Sequence, residues 1–154
     1  MPQPITESHI DRAPHTTNGT ASRAARSLSG QGLTYRLSTE IEGLKRDLGH
    51  TSGNRAAKTL AKAHNLRVAL ITLRAGATLD PHAVAGGVSL QVLEGRISVH
   101  PEGDTQVLVP GDLIILAENL RKPVEAIEDS TILAVVAWPD GAGAWDLEAA
   151  NGHL

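Results

Sequence analysis

At 154 residues with 41% apolar side chains, the chain is sized for one domain around a single core. It has no Cys, which excludes disulfides, thiolate metal sites and a catalytic thiol; with no Phe, one Tyr and two Trp, its core must be aliphatic and aromatic stacking on bases is poorly supported. The net charge of −3 is divided unevenly, with nine Lys/Arg against five Asp/Glu in residues 1–66 and five against twelve in residues 67–154, so the body is acidic and lacks the concentrated basic face that nucleic acid requires.

Residues 1–32 are rich in Pro, Thr, Ser, Asn, Gly and Arg with almost no aliphatic periodicity. They bury too little apolar surface to offset the entropy of ordering, and a disordered leader is expected, its basic side chains hovering near the acidic body. Met1 to Asp11 has no basic start followed by an apolar run, and no stretch approaches the roughly 18 apolar residues of a membrane span. The expectation is a cytoplasmic protein with neither membrane nor nucleic-acid partners.

Residues 33–53 form the next unit. Leu33, Tyr35 and Leu37 alternate with polar neighbours, as in a short strand or extended arm. A helix then follows with Thr39 as N-cap and Glu42 closing a capping box, and Ile41, Leu44 and Leu48 on one face. Gly49 supplies its stop, and the apolar stripe is expected to pack on the chain's own body or across a dimer.

Residues 54–63 have helix-forming Ala and Lys, but their place ahead of a run of strands favours a first strand. A turn at His64-Asn65 leads to Arg67–Arg74, then short strands are expected at Val88–Leu93, Arg96–His100, Thr105–Val109, Leu113–Leu116, Lys122–Ile127 and Thr131–Trp138. The turns between them carry Gly, Pro, Asp and Glu, and strands at such spacing make an antiparallel sandwich or barrel. Residues 139–154 read as a tail with a short helix around Trp145–Ala150.

The arrangement of Gly76, His82 and Gly95, followed by the Pro110-Gly111-Asp112-Leu113 turn and the strand Ile114-Ile115-Leu116, resembles the small single-domain cupins over roughly residues 55–138. The resemblance implies an all-β fold, an antiparallel jelly-roll or double-stranded β-helix barrel over 54–138, preceded here by the short helix and the leader. In that family a first motif supplies a His-x-His pair and a Glu, and a second motif a last His, as ligands to a metal. Here those positions hold His82, Val84, Val88 and Lys122, so His82 alone of the four is a natural ligand.

The residues agree with that deficit. His82, Val84, Val88, Leu90 and Val92 share even parity, so a regular strand points them inward together. These five and Lys122 are the candidate pocket residues; no residue is assigned a catalytic role and no metal is expected, because an ammonium has no lone pair to donate and one imidazole does not hold a metal tightly. The remaining histidines read as surface residues, with His100 in a turn away from the barrel mouth.

Three functions compete at this stage. The first is a metal-free barrel, structural or binding a small ligand, with Lys122 facing His82 to attract an anion such as a carboxylate. The second is a metal-dependent enzyme of the dioxygenase or isomerase type acting on a small acid or sugar, with a divalent metal held weakly at His82. The third is a structural or homodimeric interaction module using the Thr39–Leu48 helix and the barrel's outer face, with outward aliphatics such as Leu93, Val99 and Ile115.

Overall fold

The computed structural model describes residues 32–79, 86–117 and 123–137. Apart from Gly32 the leader, and with it the tail 139–154 and its expected short helix, lies outside the described residues. The elements are α1 (Leu37–Gly49), β1 (Arg55–Lys62), β2 (Leu66–Leu73), β3 (Thr78–Leu79), β4 (Val88–Glu94), β5 (Ile97–Val99), β6 (Gln106–Leu108), β7 (Leu113–Leu116), β8 (Val124–Ala126) and β9 (Ser130–Ala137). A one-turn 3-10 helix, Pro101–Gly103, joins β5 to β6.

The strands form a five-stranded sheet, β1-β2-β9-β4-β7, and a four-stranded sheet, β3-β8-β5-β6, with every pairing antiparallel. Side chains of both sheets meet in one aliphatic cluster, including Ile71, Leu73, Val92, Ile97, Val99, Val124, Ile132 and Val136. Each such side chain contributes about 1.5–3 kcal/mol on burial. This is the expected all-β barrel, built without a phenylalanine.

The outer face of the larger sheet is covered by α1. Ile41, Leu44 and Leu48 are buried as the helical period predicts, and Ile41 and Leu44 meet Leu60 and Leu70 in a second cluster edged by Tyr35, Leu37, Ala56, Val68, Leu93 and Leu133. The Tyr35 hydroxyl donates to Leu60 O, and Lys58 pairs with Glu40 in the first turn of the helix. The helix therefore packs on its own barrel.

Its start differs from the expectation. The N-cap is Arg36, without a side-chain cap, and the N–H groups of Thr39 and Glu40 bond Arg36 O at 3.1 and 3.2 Å. Thr39 and Glu42 thus lie inside the helix, because packing of Tyr35 and Leu37 starts the turn earlier than local capping chemistry would. Gly49 is the last helical residue, and the following His50 is right-handed at φ −92°. The helix thus stops at Gly49 as expected, and Leu48 O at its end accepts locally from the Thr51 N–H and from Thr51 Oγ1, each at 3.3 Å, and across the fold from Arg74 Nη2 at 2.8 Å.

Residues 55–62 are a strand despite their helix-forming composition, paired along β2 with a bulge between Thr59 and Ala61. The Pro110-Gly111-Asp112 turn is closed by Asp112 N–H to Val109 O at 2.9 Å, with Gly111 at φ +95° in the second central position, the type II pattern. Asp112 Oδ2 accepts from Val109 N–H at 3.0 Å, and the turn is tied to β4 by Gly111 N–H to Val92 O at 2.9 Å.

Two further corrections concern strand faces. The short β3 was not expected; two residues are too few to show alternation, and its place is set by pairing Leu79 with Val124 and Thr78 with Glu125. Val99, expected outward, is fully buried in the barrel with Ile97, whereas Leu93 is half covered under α1 and Ile115 stands 74% exposed. The parity of β5 is set by its pairing with β8, which the sequence of β5 alone does not contain.

Candidate functional site

The inward face of the larger sheet is layered. Pairing places Arg67, Val136, Val88 and Leu116 in one row across β2, β9, β4 and β7. The next row holds Ala69, Ala134, Leu90 and Ile114, and the third Ile71, Ile132 and Val92. Val88, Leu90 and Val92 thus share the inward face the sequence predicts, with exposures of 7%, 2% and 0%.

The Val88 row marks one end of the barrel. Val88 begins β4 and pairs with Leu116 at the end of β7, while Val124 begins β8 and pairs with Leu79 at the end of β3. The chain departs from this end into residues 80–85 and 118–122, so His82, Val84 and Lys122 lie outside the described residues. His100 follows Val99, which also pairs with Val124. Its turn therefore leaves from the same end, contrary to the sequence expectation, and its Nδ1 lies 2.9 Å from Thr105 Oγ1.

The sequence reading passed over Arg67. Among the described residues it is the buried Lys or Arg, at 8% exposure, with Nε out of contact with solvent. It shares parity with Ala69, Ile71 and Leu73, all in the barrel cluster, whereas Val68 faces the helix side. The signal was present in the alternation of β2, but a strand-initial arginine usually marks a solvated edge. Arg67 is engaged in polar or electrostatic contact within the protein, as a buried charge requires.

The described part of the site does not fit the metal the resemblance implies. Val88, where the family's Glu would stand, offers no donor, and its row neighbours Val136 and Leu116 are hydrocarbon at 1% and 3% exposure. The cation in the row, Arg67, repels a divalent ion. No catalytic step follows from these residues.

No protein-family model matches the chain, nor does any curated protein sequence match it significantly. Solved structures do. A cupin superfamily protein from Desulfitobacterium hafniense superposes with TM-score 0.55 at 13% identity, covering 58% of this chain and 82% of its own. The cupin domain of an XRE family transcriptional regulator from Enterobacter cloacae gives 0.50 at 16% identity, covering 56% and 99%. A variant of salicylate 1,2-dioxygenase from Pseudoaminobacter salicylatoxidans, bound to gentisate, gives 0.58 at 21% identity, but the match spans 67% of this chain and 32% of the dioxygenase. Likeness at these identities carries architecture and not activity. Among the described residues no helix is long and apolar enough to cross a membrane. With its two antiparallel sheets, their interleaved strand order and these neighbours, the chain has the β-barrel fold of cupin domains.

Proposed function

We propose that this protein is a metal-free cupin barrel that takes a small ligand at the Val88 end. The observation that carries the reading is the row Arg67, Val136, Val88 and Leu116, in which Val88, the one family ligand position among the described residues, offers no donor atom and has hydrocarbon and a cation as its row neighbours. A site of this kind recognises a ligand by apolar contact plus one fixed charge, which is how small-molecule pockets generally divide affinity and orientation. A sensing role is compatible with it; the neighbour from a transcriptional regulator is a cupin domain of that setting.

The test is elemental analysis of protein purified without chelator. Metal well below one ion per chain is expected, both as isolated and after incubation with excess Fe, Mn, Ni or Zn followed by desalting. One tightly held ion per chain would overturn the reading and restore the metal-dependent alternative.

A second role, homodimerisation, is favoured by a separate observation. Val107, Val109, Leu113 and Ile115, between 43% and 74% exposed, all lie in the strand-turn-strand Gln106–Leu116. In it β6 and β7 are the edge strands of their sheets. An apolar edge is a ready surface for a second copy of the chain. Ile115→Lys is expected to convert a dimer to a monomer in sedimentation velocity at micromolar concentration with little change in thermal stability of the monomer; a wild-type protein that sediments as a monomer would contradict the proposal.

A further inference from the structure

We infer that two copies of the chain join through β7, each closing the other's open edge, so that their five-stranded sheets continue as one sheet across a two-fold axis. The inference rests on the dimer reading above and names how the two copies pair.

The described strands leave four sheet edges, β1 and β7 on the larger sheet and β3 and β6 on the smaller. An unguarded edge invites a further strand, so edges are normally shortened, bulged or charged. β1 carries Arg55, Lys58 and Lys62 and a bulge between Thr59 and Ala61, and a two-fold axis beside it would set these cations against their own copies. β3 has two residues and β6 three, and the Val109 N–H that follows β6 is taken up by Asp112 Oδ2 at 3.0 Å. β7, Leu113-Ile114-Ile115-Leu116, has none of these guards: it holds no charge and no proline, and its pairing with β4 runs without a bulge. Charge thereby selects the occupant. A two-fold axis brings a surface against itself, and an uncharged aliphatic strand is self-complementary where a charged one is not.

The hydrogen bonds fix the register. Val92 takes both bonds from the turn, donating to Asp112 O at 3.0 Å and accepting from Gly111 N–H at 2.9 Å. Alternation along the ladder from there makes Leu90–Ile114 and Val88–Leu116 the hydrogen-bonded pairs, so the N–H and C=O groups of Leu113 and Ile115 point to the open edge. The same two residues hold their side chains on the outer face, 56% and 74% exposed. Pairing Leu113 of one copy with Ile115 of the other, and the reverse, satisfies these backbone groups and places Ile114 opposite itself on the axis. It also joins the exposed side chains into one apolar strip, since directly opposed residues share a face. Two short strands bury little area by themselves, and Val107 and Val109, 52% and 43% exposed on the same strand-turn-strand, are placed to widen the contact.

The full-length protein is tested in two ways. Amide exchange of wild type is compared well below and about a hundredfold above the dimer dissociation constant. The Leu113 and Ile115 amides are expected to slow by about tenfold, while those of Ile114 and Leu116, held by β4 in monomer and dimer alike, change far less. The chain has no Cys, so single substitutions report the register directly. Ile114→Cys should give a disulfide-linked dimer under mild oxidation, its Cα atoms lying about 4.5 Å apart across the axis; Ile115→Cys should not, at about 7–8 Å on the diagonal. If wild type dimerises but Leu113 and Ile115 exchange at the same rate at both concentrations, or Ile115→Cys cross-links at least as readily as Ile114→Cys, the copies meet by another surface: the edge pairing is wrong while the dimer stands. Should Ile114→Cys not fold, the exchange rates decide. A wild type that stays monomeric at the highest concentration overturns both.

Discussion

Gly95→Ala is expected to cost about 4 kcal/mol, enough to lower Tm by at least about 10 °C or to prevent folding. Two effects add at this position. Its φ of +80° is a conformation that L residues rarely adopt, and an added Cβ would lie 2.2 Å from Asp129 O, 2.4 Å from Ser130 Oγ and 2.7 Å from Ser130 Cα. Neither neighbour is placed to yield. Ser130 Oγ accepts from Arg96 N–H at 3.0 Å and lies 2.7 Å from Glu128 O and 2.9 Å from Arg96 O, while Asp129 Oδ1 accepts from Ala75 N–H at 2.8 Å. The β4–β5 turn is thereby locked to the β8–β9 turn. Gly103→Ala provides the comparison: φ is +94°, but nothing lies within 4 Å of the added Cβ, so conformational strain of about 1–2 kcal/mol is all that remains. Chemical denaturation of both variants separates the terms. Equal costs would mean that the close approach at Gly95 does not matter.

Leu70→Ala is expected to cost about 3 kcal/mol and to loosen α1 selectively. Leu70 is fully buried on the helix side of β2 and packs with Ile41, Leu44 and Leu60. Truncation leaves a cavity that a helix on a five-stranded sheet cannot close without shifting as a body. Hydrogen exchange should show the amides of residues 37–49 exchanging faster, with protection in β4 and β9 falling only by the global amount. Arg46→Ala, on the exposed face of the same helix, should stay within about 0.5 kcal/mol of wild type. A Leu70→Ala cost under about 1 kcal/mol would show that α1 is not held by this cluster.

Much of the architecture was legible before the structure. The spacing of Ile41, Leu44 and Leu48 identifies a helix face because the helical period is local. Pro110-Gly111-Asp112 identifies a turn because each residue acts within the turn itself: Pro presets φ, Gly supplies +95°, and Asp accepts the Val109 N–H. Even β1, rich in Ala and Lys, was readable from its place ahead of a strand series.

What was not legible depended on partners distant in the chain. Thr39 and Glu42 make a sound capping box, yet the helix starts at Leu37 because Tyr35 and Leu37 are drawn onto the barrel. Val99 reads as outward until β8 fixes its face. Of the pocket candidates, Val88, Leu90 and Val92 are inward as alternation requires, while His82, Val84 and Lys122 lie outside the described residues.

The sequence by itself determined the fold class, the helix face and most strand positions, since each is written in residue type and short-range spacing. The tertiary structure decided that Arg67 stands in a row with Val136, Val88 and Leu116, facing the barrel interior. That row joins β2, β9, β4 and β7. Its members come together because these strands pair across long stretches of chain to share one aliphatic core, an arrangement that no local signal around Arg67 encodes.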